Sequence, residues 1–423
     1  MNNREEGRRL LFVCSDYYPP SSVSGAIMSH YIVKYLGKIG WEVAVLTSAH
    51  PESKGRLRQP QGYENKVFYS LPPPSPSYKT IENWGNKKFG AYLRPLFSYL
   101  AGYGTPIWHL KAKKIALSII RNFNPQIIIA SHPEPKCLLL AKQLSKEKGI
   151  PWIAFMYDPW SKAPRGNNAP VGGYFNRLKE KIERKTLQGV SAILTVSESW
   201  EFIIDEKRTP VFIIHRGFDP EVLSYEAKLL PQFTITFAGS LFALERDPSP
   251  LLFAISRLAK DGFLGKYPIR ARFFLHSEKD REIMRNLANN LGIESAVDVF
   301  SPINYKELLV KEKESSCLLL LTHHQSYYTA SLADYLACRR PILAIMPKNC
   351  LAARLIQKTG VGFICENEEE VYDFLKKAIL EFYQNGDIEW HPDSRAIEEF
   401  SWDKQTEKLS RILEEIIERE RIG

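Results

Sequence analysis

At 423 residues the chain is too long for one compact core, so two domains of roughly 200 residues are expected. With 44% hydrophobic and 25% charged residues and a mean hydropathy of −0.26, it reads as a soluble globular protein. No apolar run approaches the ~20 residues of a membrane span. The net charge of +9 is uneven: residues 1–220 hold 31 Lys/Arg against 17 Asp/Glu, and residues 221–423 hold 26 against 31. A basic first half points to an anionic partner.

The first apolar stretch, Leu10 to Cys14, is too short for a signal peptide and reads as a strand, "RLLFVCS". "SDYYPPSSVSGA" follows, longer than the two to six residues a strand-to-helix connector usually needs. Rich in small residues and aimed at a helix, it reads equally as a phosphate or sugar seat and as a plain solvated loop. Ile27, Tyr31, Ile32, Tyr35, Leu36 and Ile39 then recur at helical spacing, and Gly40 ends the helix, expected over 26–39. "WEVAVLTS", "PQIIIASH", "PWIAFMYD", "SAILTVSE" and "VFIIHRGFD" are further strands, separated mostly by helices.

Pro231 and polar residues interrupt the pattern within "RGFDPEVLSYEAKLLPQ", where the domain boundary is expected. Strands then resume as "FTITFAGS", "IRARFFLHS", "AVDVFSP", "SSCLLLLTHH", "RPILAIMP" and "GVGFICEN", with helices such as "DREIMRNLANNLG" and "TASLADYLACRR" between them. Alternating strands and helices imply right-handed crossovers and two doubly wound parallel sheets in tandem. The last stretch is an amphipathic helix with Leu409, Leu413, Ile416 and Ile417 on one face.

The six cysteines (Cys14, Cys137, Cys317, Cys338, Cys350, Cys365) form no CxxC pair, which suits buried, reduced thiols in a cytoplasmic protein. The histidine pair His323-His324 has no matching carboxylate spacing, so no metal site is expected. Neither half carries GxGxxG after its first strand, and neither GxxxxGK[ST] nor GxSxG occurs. These absences count against a dinucleotide oxidoreductase, a P-loop ATPase and an α/β-hydrolase.

Several segments, in order, resemble the retaining GT-B glycosyltransferases of the family-4 type. They are "LLFVCSDYYPPSSVSGA", "ASHPEPKCLLLA", "PWIAFMYDPW", "IIHRGFDPE", "FTITFAGSLFALERDPSPLLFAI", "SLADYLACRRPILAI" and "FSWDKQTEKL". "MYDPW" is similar to a subgroup with Asp-Pro-Trp after a first-domain strand. The resemblance implies two Rossmann-like domains facing across a cleft. Residues 1–218 would form the acceptor side and 219–400 the donor side, with helix 401–423 packing back toward the first domain. It also implies a nucleotide-diphosphate sugar as substrate, with neither a cofactor nor a metal.

Carried over residue by residue, the resemblance puts Gly25 near a diphosphate at the positive end of a helix. Gly239 matches the family glycine, Ser240 stands where an arginine is usual, and Arg246 takes the role of gripping the diphosphate. Ion pairing with Asp247 or Glu245 is the plainer alternative for Arg246. Asp334 matches the acid that binds the nucleotide ribose, expected at a helix start, and Ser331 stands where a lysine is common. Asp158 is assigned to the reaction centre beside the donor sugar, and His132 to the acceptor or sugar side. Four positions depart from the pattern: Ile27 and Ser326 replace acids, Arg216 an asparagine and His276 a glycine.

Residues 79–121 combine eight Lys/Arg, one acid and seven aromatic residues, a composition suited to an anionic membrane surface. Two ordinary helices with solvated cations remain the alternative, and nucleic acid is not expected as a partner. The resulting expectation is an enzyme of the cytoplasm, peripheral on the inner face of the membrane. It would move a sugar with retention to a lipid-linked or glycan acceptor in surface-polysaccharide synthesis. A non-catalytic scaffold of the same fold is the alternative, with nucleotide-sugar epimerisation a more distant one.

Overall fold

The computed structural model describes residues 7–17, 24–48, 66–70, 106–132, 135–158, 160–161, 173–200, 202, 209–241, 246–322 and 329–422. The chain divides into two units, one of Met1–His215 with Gln405–Gly423, the other of Arg216–Lys404.

In the first unit the described strands are β1 (Arg8–Val13), β2 (Trp41–Ser48), β3 (Lys66–Ser70), β4 (Ile127–His132), β5 (Trp152–Met156), β6 (Ala192–Thr195) and β7 (Val211–Ile213). They form one parallel sheet in the order β3-β2-β1-β4-β5-β6-β7. Helices α1 (Ser24–Lys38), α2 (Pro106–Phe123), α3 (Pro135–Lys148) and α4 (Gly173–Leu187) lie along the connections. Every residue of β4, β5 and β6 is buried, as befits strands covered on both faces. Strand β3 was not among the strands read from the sequence. Among the described residues it pairs with β2 alone, as an edge strand, and needs no long apolar run.

The second unit has β8 (Phe233–Gly239), β9 (Ile269–Leu275), β10 (Val297–Phe300), β11 (Cys317–Leu321), β12 (Ile342–Ile345) and β13 (Gly362–Cys365). Their parallel order is β10-β9-β8-β11-β12-β13. Its helices are α5 (Ser249–Lys260), α6 (Phe263–Lys266), α7 (Glu278–Leu291), α8 (Tyr305–Lys313), α9 (Ala330–Cys338), α10 (Leu351–Thr359), α11 (Glu368–Asn385) and α12 (Ser394–Glu398). One face of this sheet buries Ile235, Phe273, Leu319 and Leu343 with Ile255 and Leu258 of α5 and Leu375 and Ile379 of α11. The other buries Leu318, Leu320, Ile342 and Ala344 with residues of α9 and α10.

The last helix, α13 (Trp402–Ile422), belongs to the first unit from Gln405 onward. Leu409, Leu413 and Ile416 are buried along it, and the Trp41 indole N–H donates to Ser410 Oγ at 2.8 Å. The Gln405 side chain accepts from the His215 amide at 2.8 Å. All six cysteines are buried and none is in a disulfide.

The "GFD" stretch has three structural tasks inside the second unit. Phe218 is buried and exchanges backbone hydrogen bonds with Phe400 and Trp402, each 2.9 Å. Asp219 accepts from the Glu221 amide at 2.9 Å, capping a short 3-10 turn. Gly217 lies against Trp402, where an added Cβ would come within 2.8 Å of the indole and 2.9 Å of the backbone nitrogen. Gly217→Ala is therefore expected to destabilise the protein by about 1–3 kcal/mol through overpacking. Urea unfolding should show a lower midpoint with an unchanged slope, and an unchanged midpoint would contradict the packing.

Candidate functional site

In a doubly wound sheet the chain winds away in opposite directions from one central strand, and the carboxyl ends of the strands there are left uncovered. In the first unit that point lies between β1 and β4. Gly25, His132 and Asp158 all stand at this end of the sheet. Gly25 is in the first turn of α1, His132 ends β4, and Asp158 follows β5 by two residues.

The helix begins at Ser24, two residues earlier than expected, so Gly25 is helical rather than part of a loop. The reason is packing. A Cβ on Gly25 would lie 3.1 Å from the Tyr157 ring, so the turn closes against that ring. Ser29 Oγ donates to the Gly25 carbonyl at 2.9 Å and shares a 2.9 Å hydrogen bond with the Tyr157 hydroxyl. Ile27, in the same turn, is half-buried. Neither Tyr157 nor Ser29 was singled out from the sequence. Tyr157 lies inside the quoted "MYDPW", but its role depends on a partner 128 positions away.

His132 is 5% exposed, and its ring sits tilted against Trp160 with centroids 5.5 Å apart. Burial lowers its pKa from 6.5 to about 3, and a hydrogen bond to the Asp158 backbone, which favours the charged ring, only partly offsets this. The ring is therefore neutral near pH 7, and its buried Nδ1 has no hydrogen-bond partner among the described residues. Asp158 has an exposed side chain, yet the surrounding protein raises its pKa from 3.8 to about 6.

In the second unit the corresponding point lies between β8 and β11. Gly239 ends β8 with φ +147°, a conformation side chains rarely adopt. Its carbonyl accepts from the His276 amide at 3.2 Å, and Leu241 N–H donates to buried Asp280 at 3.0 Å. Arg246 is fastened at both ends. Its amide donates to Leu241 O at 3.0 Å and its Nη1 to Ser240 O at 3.3 Å. A Cβ on Gly239 would lie 3.3 Å from that Nη1, so the guanidinium crosses directly over the glycine. Gly239, Ser240 and Arg246 thus form one contact group. Asp247 faces the Ser249 amide at 2.9 Å, and Glu245 lies outside the described residues.

Ser331 and Asp334 lie on α9. Ser331 is in its first turn, 3.3 Å from Thr329 Oγ1, and Asp334 is one turn further in than the helix start expected for it. The reason is that α9 opens at Ala330, after Thr329. Asp334 accepts a 2.6 Å hydrogen bond from Tyr305, the first residue of α8. Burial raises its pKa, opposed by the charge of Arg216 and by the Tyr305 hydroxyl. Nearby Glu312 is also raised, first by burial and then by Asp334. His276 is exposed, and Ser326 and His323-His324 fall outside the described residues. Among the described residues no cluster of His, Cys, Asp or Glu suits a metal ion.

Residues 26–222 match the family described as Glycosyltransferase Family 4, and no curated protein matches the chain significantly. Sucrose-phosphate synthase from Thermosynechococcus elongatus is similar in structure, with TM-score 0.66 and 10% identity over 97% of this chain and 100% of that one. HepE from Anabaena, solved with UDP, gives TM-score 0.62 and 14% identity over 96% and 100%. A glycosyltransferase from Rickettsia africae gives 0.62 and 14% over 97% and 99%. The chain has the GT-B fold. Within that fold the contact group of Arg246 and the buried His132 each lie at the switch point of their own sheet.

The two first-unit groups titrate with opposite effects on stability. His132 binds a proton in the unfolded chain below 6.5 but in the native one only near 3, so stability falls as pH drops through that window. Asp158 holds its proton longer when folded, so stability falls as pH rises from 3.8 to about 6. His132→Gln should gain on the native protein on acidification, by at most about 1.4 kcal/mol per pH unit. Asp158→Asn should gain as pH rises instead. Urea midpoints between pH 3.5 and 7 check both signs.

Proposed function

We propose that the protein is a retaining glycosyltransferase of the family-4 type, in the subgroup with Asp-Pro-Trp. It moves a sugar from a nucleoside-diphosphate donor to a lipid-linked or glycan acceptor in surface-polysaccharide synthesis. The observation that carries this reading is the Arg246 guanidinium fixed across Gly239 and Ser240 at the carboxyl end of β8. A bidentate cation held there suits the two charges of a leaving diphosphate. HepE, of the same fold, has been solved with UDP, with UDP and glucose, and with UDP-glucose.

In this reading residues 219–400 take the nucleotide and residues 1–218 serve the acceptor. Asp334 receives the ribose hydroxyls, and Ser331 and the α9 N-terminus serve the phosphates. Gly25, in the first turn of α1, is assigned to an anionic group. His132, neutral at pH 7, lines the acceptor or sugar side, and Asp158 is the carboxylate at the reaction centre. Arg246 supplies the positive charge, so no metal enters the reaction.

Thermal unfolding against millimolar UDP, GDP, ADP, CDP and dTDP tests the nucleotide site. One base should raise Tm by a few degrees, since a ligand at 100 times its Kd stabilises by about 2.7 kcal/mol. Arg246→Ala and Asp334→Ala should lose the shift, whereas Asp158→Asn should keep it and lose turnover. NMR of the product should show the donor's anomeric configuration, and a chelator should leave the rate unchanged. No shift with any nucleotide would favour the non-catalytic scaffold.

The reading includes a place at the inner face of a membrane. Among the described residues no helix is long and apolar enough to cross one. Residues 79–105 lie outside the described residues, but α2 carries Leu110, 70% exposed, with exposed Lys111, Lys114 and Arg121. On neighbouring α3, the Lys142 ammonium reaches the Lys185 carbonyl, and Lys185 and Lys146 add to burial in lowering its pKa. Co-sedimentation should show binding to phosphatidylserine vesicles and not to phosphatidylcholine ones, weakening with salt. Lys111→Glu with Lys114→Glu should weaken it further, and equal binding to both vesicles would remove this part of the reading.

A further inference from the structure

The second unit holds a groove of about 480 Å³ on one face of β8, β9 and β10, running from Thr234 near the start of β8 to Phe300 at the end of β10. Alternation along the strands explains it. Ile235, Phe273 and Leu275 enter the core with α5 and α7, so Thr234, Arg272 and Phe274 turn to the opposite face. Glu307 and Lys311 of α8 form one wall. The floor holds a flat aromatic pair, Phe274 stacked on Phe300 with centroids 4.9 Å apart and planes 20° apart. Phe274 is 7% exposed and Phe300 40%, so the pair is anchored at one end and open at the other.

The charges at the groove balance, Arg270, Arg272 and Lys311 against Asp298, Glu307 and Glu314. Arg270 pairs with Asp298 at 3.3 Å, and Lys311 with Glu314 at 3.1 Å. Buried Arg272 donates to Thr236 and Ser315 at 3.0 Å each and to the Lys311 carbonyl, with Glu314 3.7 Å away. A phosphate or sulfate would find no unmatched cation here. A purely apolar ligand would strip water from charged walls and return no hydrogen bonds. What suits both the aromatic floor and the paired rim is a neutral molecule with an apolar face edged by hydroxyls.

We propose that this groove of the second unit, floored by Phe274 and Phe300 and rimmed by Arg270 and Asp298, is a binding site for neutral oligosaccharide. One sugar face lies on Phe300, and hydroxyls bridge the Arg270–Asp298 pair. The site is separate from Arg246 and does not depend on the transferase reading.

Saturation-transfer difference NMR of the whole chain tests it, with cellotetraose, maltotetraose and chitotetraose as neutral probes and a hyaluronan tetrasaccharide as an acidic one. Irradiating the aromatic protons should saturate ring protons of at least one neutral probe. The effect should fall several-fold in Phe300→Ala and in Arg270→Gln, each shown by circular dichroism to be folded. It should persist in Arg246→Ala, which separates this site from the nucleotide site. Saturation of no neutral probe, saturation of the acidic probe alone, or a signal retained in both groove variants would each overturn the proposal.

Discussion

The handedness of parallel crossovers is the constraint from which the rest of this structure follows. A right-handed connection sends each helix to one face or the other, according to the direction in which the chain moves along the sheet. Beside β1 and again beside β8 that direction reverses, and the carboxyl ends of those strands are left without a helix across them. The residues singled out from the sequence gather there because that edge leaves backbone and polar side chains open on a rigid base. Strands buried on both faces hold such an edge still, and their apolar runs are what make the reversal possible.

At each reversal a different device fixes the polar groups. In the first unit it is an aromatic clamp, the Tyr157 ring closing on Gly25 while its hydroxyl meets Ser29. In the second it is a polar latch, with Asp280 holding Leu241 and Arg246 folding back on Ser240. The electrostatics differ as well. His132 is kept neutral by burial, whereas half-buried Asp334 is influenced by the cation Arg216 and itself raises the pKa of the buried acid Glu312. Arg216 stands where the resembling enzymes carry a neutral asparagine, and here its charge opposes the effect of burial on Asp334.

Much of this was legible in the chain because long apolar runs and helical stripes report burial directly. β1, β4, β5, β8 and β11 could hardly be anything but interior strands. β3 escaped because, among the described residues, it has one neighbouring strand, and the five residues "KVFYS" are too short an apolar run to stand out. The start of α1 shifted because a ring on a distant strand, not a local capping residue, sets it. Gly239 and Arg246 were readable as parts of an ordered set of motifs, but Tyr157, Ser29, Asp280 and Tyr305 were not. Their partners lie from 29 to 128 positions away, and no spacing rule encodes a contact of that kind.

The buried thiols have one more implication. Cys14, Cys317 and Cys365 each lie at a strand of a sheet, and burial pushes each pKa up to about 12, so the reactive thiolate is scarce in the native fold. The six cysteines, none in a disulfide, are shared between the units, Cys14 and Cys137 in one and the other four in the second. An alkylating reagent would therefore act as a slow clock, marking each residue only when the sheet around it opens. Read by mass, the order of labelling would rank the local opening of the two units without any probe being added to the chain.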